Sequence, residues 1–158
     1  MATAPLPLPL WAAGHSPPRQ RDVISLIRRA APASRPLDGA VRLPPNSSSP
    51  SVARGIVDRA MVGLPLETRD VAKVLVSELV TNAVRHARTE VALTATVHPG
   101  TVLVSVTDGS SARPIQQDLS DDAEAGRGLL LVDALADSWG WTMTPPGKSV
   151  WFELRTDR

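Results

Sequence analysis

A chain of 158 residues has room for one ordinary domain and some tail, because single cores occupy roughly 100 to 150 residues. Hydrophobic residues at 42% and charged residues at 21% lie near the soluble globular average, which argues against wholesale disorder and against a fibrous chain. With no cysteine there is no disulfide framework, thiolate nucleophile or cysteine-ligated zinc, and a net charge of +1 with 3% aromatic residues offers nucleic acid neither a basic field nor stacking rings.

Ten of the fifteen prolines fall in the first fifty residues, so residues 1–38 read as a Pro-rich flexible tail and 39–158 as the folded domain. The first fourteen residues are apolar, but they carry no basic n-region and are broken by Pro5, Pro7 and Pro9, unlike a secretory signal. No run approaches the roughly 20 apolar residues of a membrane span. The expectation is a cytoplasmic protein with no membrane contact and no direct contact with nucleic acid. Within the tail, Asp22–Ala31 has the pattern of one or two helical turns capped by Asp22, readable as a docking peptide or as a solvated linker.

From Val41 onward apolar periodicity becomes regular. A short strand at Ala40–Leu43 is followed by Asn46–Ser49, which supplies capping oxygens for a helix over 50–62 that Gly63 stops. A second helix is expected over Glu67–Ala87. Alternation then predicts strands Glu90–Val97 and Thr101–Thr107, joined as a hairpin by His98-Pro99-Gly100. An acidic loop, Ser110–Ala125, leads to a helix at Gly128–Ala136 and to strands Ser138–Thr144 and Ser149–Leu154, with Pro145–Lys148 as their turn. This β-α-α-β-β-α-β-β order predicts an α/β two-layer sandwich, a mainly antiparallel mixed sheet covered on one face by helices.

On a helical wheel the second helix divides into three sectors. Ala72, Val76, Leu79, Val80, Ala83 and Ala87 form the stripe expected to face the sheet, and Lys73, Ser77, Thr81 and Arg88 the solvent side. Glu78, Asn82, Arg85 and His86 share a third sector that Val71, Val74 and Leu75 occupy a turn or two earlier. A cleft wall explains this row if Glu78 accepts a proton, Asn82 offers its amide oxygen to a hard cation such as Mg²⁺, and Arg85 or His86 faces anionic oxygens. A solvated helix flank explains it equally well.

Two other places suit the same ligand. Asp108 ends the strand VLVSVTD, where a buried carboxylate can accept a hydrogen bond from an exocyclic amine such as adenine's; an ordinary Asp-Gly turn is the alternative. Gly126-Arg127-Gly128 opens the helix LLLVDALA, and helix starts of this kind expose amides to phosphate, although many such sequences are flexible loops.

Taken in order, Glu78-Leu79-Val80-Thr81-Asn82-Ala83-Val84-Arg85-His86-Ala87, Val106-Thr107-Asp108 and Gly126-Arg127-Gly128-Leu129 resemble the N, G1 and G2 boxes of the gyrase, heat-shock chaperone, histidine kinase and mismatch-repair ATPase superfamily. The run SELVTNAVRHA and the closing DSWGWTMTPPGKSVWFEL are similar to the anti-sigma-factor serine/threonine kinase branch, and the resemblance covers roughly residues 41–155. It implies a Bergerat-type ATP-binding fold with ATP and Mg²⁺ as cofactors. Glu78 would be the catalytic base and Asn82 the Mg²⁺ ligand, with Arg85 and His86 beside the nucleotide. Asp108 would read the adenine amine; Gly126, Arg127, Gly128 and Leu129 would cradle phosphates; Ser110–Ala125 would be a lid. Ser149, with Lys148, would contact the nucleotide unless both belong to a solvated turn. The implied function is phosphorylation of an anti-sigma-factor antagonist together with sequestration of a sigma factor, in a possible homodimer; the alternative is a non-catalytic ATP-binding partner-switching module. One departure stands out: Ser110 and Ala112 occupy G1 positions where the superfamily carries glycine.

Overall fold

The computed structural model describes residues 35–36, 39–112, 114 and 127–157, all within the unit Ala31–Arg158, with only the backbone of 35, 36 and 127. The expected Asp22–Ala31 helix and nearly all of the expected lid beyond Ala112 lie outside the described residues. The elements in chain order are β1 (Arg35–Pro36), β2 (Val41–Leu43), α1 (Ser49–Ala60), α2 (Leu66–His86), β3 (Val91–His98), β4 (Thr101–Asp108), α3 (Arg127–Leu135), β5 (Ser138–Thr144) and β6 (Gly147–Arg155). The expected order is found, with β1 added inside the segment read as tail.

The sheet runs β1-β3-β4-β6-β5, with β2 also paired to β3. Every pairing among the described residues is antiparallel, so the sheet has no mixed component there. Its centre is the β3–β4 hairpin, in register from Ala92↔Thr107 to His98↔Thr101. Pro99 and Gly100 form the two-residue turn, and Gly100 at φ +81° takes the left-handed position that a Pro-Gly type II turn requires.

Period-two geometry sends Val102, Val104 and Val106 of β4 to the same side as their partners Leu154, Phe152 and Val150 of β6. Leu93 and Ala95 of β3 join them. Against this side pack Ala72, Leu75, Val76, Leu79, Val80 and Ala83 of α2, with Ala53, Ile56 and Val57 of α1 and Leu129 and Val132 of α3, in one buried cluster. Phe152, the chain's only phenylalanine, is wholly inaccessible at its centre. Burying each large side chain contributes about 1.5–3 kcal/mol, so this cluster is what sets the helices over the sheet.

Of the predicted sheet-facing stripe, Ala72, Val76, Leu79, Val80 and Ala83 are buried, and Ala87, just past the last helical residue, is half-buried. Leu75, in the third sector, is fully buried as well. Lys73 and Ser77, expected in solvent, are half-buried because α1 packs along that side. There Arg69 donates to Asp58 Oδ1 through Nε (3.1 Å) and Nη2 (2.8 Å), Arg54 donates to Ser77 Oγ at 3.0 Å, and Lys73 Nζ lies 2.7 Å from Asp70 Oδ1. Arg88, at φ +52°, ends the helical run and turns the chain toward β3. Among the described residues, no helix is long and apolar enough to cross a membrane.

Candidate functional site

Glu78 and Asn82 lie one turn apart on α2, half-buried, at the flank where α3 begins. Gly128, the second residue of α3, meets them directly: a Cβ built on it would come 2.7 Å from Glu78 Oε2 and 3.2 Å from Asn82 Nδ2. A carboxylate and an amide are thus held against the first turn of a helix whose leading N–H groups have no intrahelical acceptor. The second glycine of the G2 stretch has a steric reason to be glycine, because any side chain there would displace the two polar groups.

The end of β4 lies on the helix-covered side of the sheet. Asp108 completes the core-facing series Val102, Val104, Val106 and is buried at 6% exposure. Its Oδ1 accepts from the Ser110 amide at 2.8 Å, and Lys148 Nζ lies 3.1 Å from each carboxylate oxygen. The two side chains are 4% and 7% exposed, respectively, and their residues face each other across β4 and β6. Gly147 makes the approach possible, since a Cβ there would overlap the Asp108 carbonyl oxygen. The loop is fastened by the Gly109 amide donating to Thr89 Oγ1 at 2.8 Å.

The structure unites some of the predicted residues and separates others. Glu78, Asn82 and Gly128 adjoin; Asp108 ends the neighbouring strand on the same side of the sheet. Arg85 and His86, in the last turn of α2, are exposed. Leu129 turns its side chain into the core at 7% exposure, so only its backbone is available to a ligand. Gly126 lies outside the described residues, and Arg127 is described only as the first backbone position of α3.

Ser149 is placed apart from the rest. It is opposite Thr107, one residue out of phase with Asp108, and therefore projects from the other side of the sheet. There its Oγ lies 2.7 Å from Ser105 Oγ and accepts from Thr107 Oγ1 at 3.0 Å. Ser149 thus projects away from the side that carries Asp108, and the expected solvated turn is corrected: Lys148 and Ser149 are both buried strand residues. Lys148 is the site residue whose position the turn reading obscured. The signal for it is parity, because Lys148 stands two residues before Val150 in a strand whose core residues are Val150, Phe152 and Leu154.

On its other flank Glu78 borders a groove between α1 and α2, about 660 Å³ in volume, which Arg54, Asp58, Asp70, Lys73 and Ser77 also line. The carboxylate therefore stands between the start of α3 and a charged surface channel.

A polar helix flank, a glycine-led helix start and a buried carboxylate at a strand end thus lie over one antiparallel sheet. The chain belongs to the histidine kinase-like ATPase domain family, whose model matches residues 45–154. Among solved structures it is similar to the RsbU and RsbW domains of Rv1364c from Mycobacterium tuberculosis, at 19% identity and a TM-score of 0.60, over 78% of this chain. The chain spans 33% of the length of that structure. Among curated proteins no match is found.

Proposed function

We propose that this protein is an ATP-binding regulatory serine/threonine kinase of the anti-sigma type, which phosphorylates an anti-sigma-factor antagonist and sequesters a sigma factor. The observation that carries the reading is the packing of Gly128 against Glu78 Oε2 and Asn82 Nδ2, which crowds out a Cβ and so keeps backbone amides beside a carboxylate and a carboxamide. Family membership supports ATP as the ligand, and the likeness to the RsbU and RsbW domains supports a partner-switching role.

In this reading Asp108 holds the base end through its exocyclic amine. The Gly128 and Leu129 amides, with Gly126 and Arg127 before them, hold the phosphates. Asn82 offers its amide oxygen to Mg²⁺. Among the described residues no three His, Cys, Asp or Glu side chains gather into a metal cage, so the cation would draw its remaining ligands from phosphate and water, as Mg²⁺ commonly does. ATP supplies the phosphoryl group; Glu78 takes the proton of the acceptor serine or threonine hydroxyl. Arg85 and His86, exposed at the end of α2, lie within the same helical sector for the anionic oxygens.

The test is phosphate transfer from radiolabelled ATP to a cognate antagonist by wild type and Glu78→Gln. Loss of about two orders of magnitude is expected of a missing general base. Transfer at the wild-type rate would remove Glu78 from that role. A second reading, a non-catalytic ATP-binding switch, is favoured by one observation: Ser110 and Ala112 replace the glycines that let G1 backbone approach a nucleotide. Sustained phosphorylation of any partner excludes it.

A further inference from the structure

The loop that leaves β4 is anchored from outside itself. We infer that Thr89, in the connection between α2 and β3, is a positioning residue for nucleotide binding, which fixes this loop before a ligand arrives. This rests on the ATP-binding reading above and adds to it a residue outside the three motif stretches.

Three observations meet at Thr89. The β3–β4 ladder ends at Ala92↔Thr107, and past it the Gly109 amide finds a side-chain acceptor, Thr89 Oγ1, at 2.8 Å. The contact is close as well as polar: a Cβ built on Gly109 would lie 3.0 Å from Thr89 Cγ2 and 3.2 Å from Oγ1, so it is the absence of a side chain that lets loop and threonine meet. Immediately before Thr89, Arg88 holds φ +52°, a left-handed conformation disfavoured for a residue with a side chain and kept only where its surroundings demand it. The end of α2 therefore turns so that a hydroxyl is set against Gly109.

From Gly109 the constraint passes to Asp108. The Ser110 amide donates to Asp108 Oδ1 at 2.8 Å, and the Ala112 amide to Ser110 Oγ at 3.2 Å. Gly109 is the single residue between the Asp108 carboxylate and that Ser110 amide, so fastening it to Thr89 fixes the short turn that aims the carboxylate. Ser110 and Ala112, standing where the ATPase superfamily carries glycine, also have less backbone freedom than glycine. Held at Thr89 and stiffened at 110 and 112, the loop is shaped in advance, and affinity that a glycine-rich loop would lose on ordering is kept.

The experiment is titration calorimetry of the full chain with Mg²⁺-ATP on wild type, Thr89→Val and Thr89→Ser, each checked as folded by its melting temperature, with exchange of the Gly109 amide followed by NMR in the free proteins. Valine keeps the shape of threonine without its acceptor; serine keeps the acceptor. Thr89→Val is expected to bind about five- to ten-fold more weakly, the loss of one hydrogen bond, and to exchange the Gly109 amide about ten-fold faster. Thr89→Ser is expected within about two-fold of wild type in both measurements. If Thr89→Val melts lower yet binds ATP like wild type, Thr89 is structural only and the inference is overturned, while the ATP-binding reading stands. If Thr89→Ser binds as weakly as Thr89→Val, the hydroxyl does not position the loop, with the same result. A Gly109 amide that exchanges in wild type as fast as an unprotected one overturns the inference whether or not the variants fold. If wild type binds no ATP, the reading beneath it fails as well.

Discussion

Gly128→Ala separates the stability of this fold from the working of its site. The added methyl would lie 2.7 Å from Glu78 Oε2, about 0.7 Å short of ordinary van der Waals contact, which begins at 3.4 Å. The carboxylate tip can rotate away, and alanine is favoured over glycine in a helix by up to about 1 kcal/mol, so the two effects offset each other. Stability from urea denaturation is expected within about 1 kcal/mol of wild type. The displaced carboxylate is another matter, since a shift approaching 1 Å in a reacting group lowers a rate by roughly 100-fold. Asn82 Nδ2, at 3.2 Å from the same methyl, is crowded too, so Mg²⁺-ATP affinity should fall alongside transfer to the antagonist. Stopped-flow phosphotransfer and calorimetry on one preparation measure both. Transfer and affinity within two-fold of wild type would refute the placement of Gly128 against the working groups, and a loss of several kcal/mol in stability would show that Glu78 is not free to yield.

Three further outcomes follow from the geometry. Gly147→Ala sets a methyl against the backbone of Asp108, which no rotamer relieves, and should cost about 3 kcal/mol or more; an unchanged melting temperature would contradict the close approach of β4 and β6. Ser149→Ala should leave ATP affinity within two-fold, because its hydroxyl projects from the other side of the sheet, while loss of its links to Ser105 and Thr107 costs about 1 kcal/mol; a ten-fold affinity loss would show that the register is wrong. Asp108→Asn leaves the Lys148 ammonium buried without its anion and should destabilise by about 3–5 kcal/mol in chemical denaturation. A change under 1 kcal/mol would mean that the pair is not buried in solution.

The elements were legible because each carries its own period and punctuation. Alternation in VALTATVH and TVLVSVTD, with Pro99-Gly100 between them, leaves little choice but a hairpin. The helix α2 is equally legible in extent, but its wheel does not show what covers each polar side. Lys73 and Ser77 are polar, as a solvent-facing row would be, whereas α1 meets them with Asp58 and Arg54. Nothing in a single helix distinguishes a polar face that meets solvent from one that meets an oppositely charged helix. Glu78, Asn82 and Gly128 were legible as types of residue, but their meeting depends on how α3 returns over α2, some fifty residues later in the chain, and periodicity does not encode that return.

Lys148 shows how much one residue of strand phase decides. If β6 began at Ser149, with Lys148 in the turn, the lysine would be solvated and the serine would be the first polar group of the strand. The strand begins at Gly147 instead, because Thr144 pairs with Gly147 and Met143 with Lys148, so pairing extends to the turn itself. Phase then follows from the core: Val150, Phe152 and Leu154 must face the helices, and Lys148 is carried to their side while Ser149 goes with Trp151. A lysine brought inward this way is tolerable only if an anion waits there, since an unpaired buried charge would be neutralised or expelled. Asp108, terminal residue of the adjacent core-facing row, is that anion. The two residues therefore constrain each other across the strands. A substitution that removes either charge alone must reorganise the end of β4, where the base of a bound nucleotide would be read, whereas removing both together leaves a neutral pair that can keep the register.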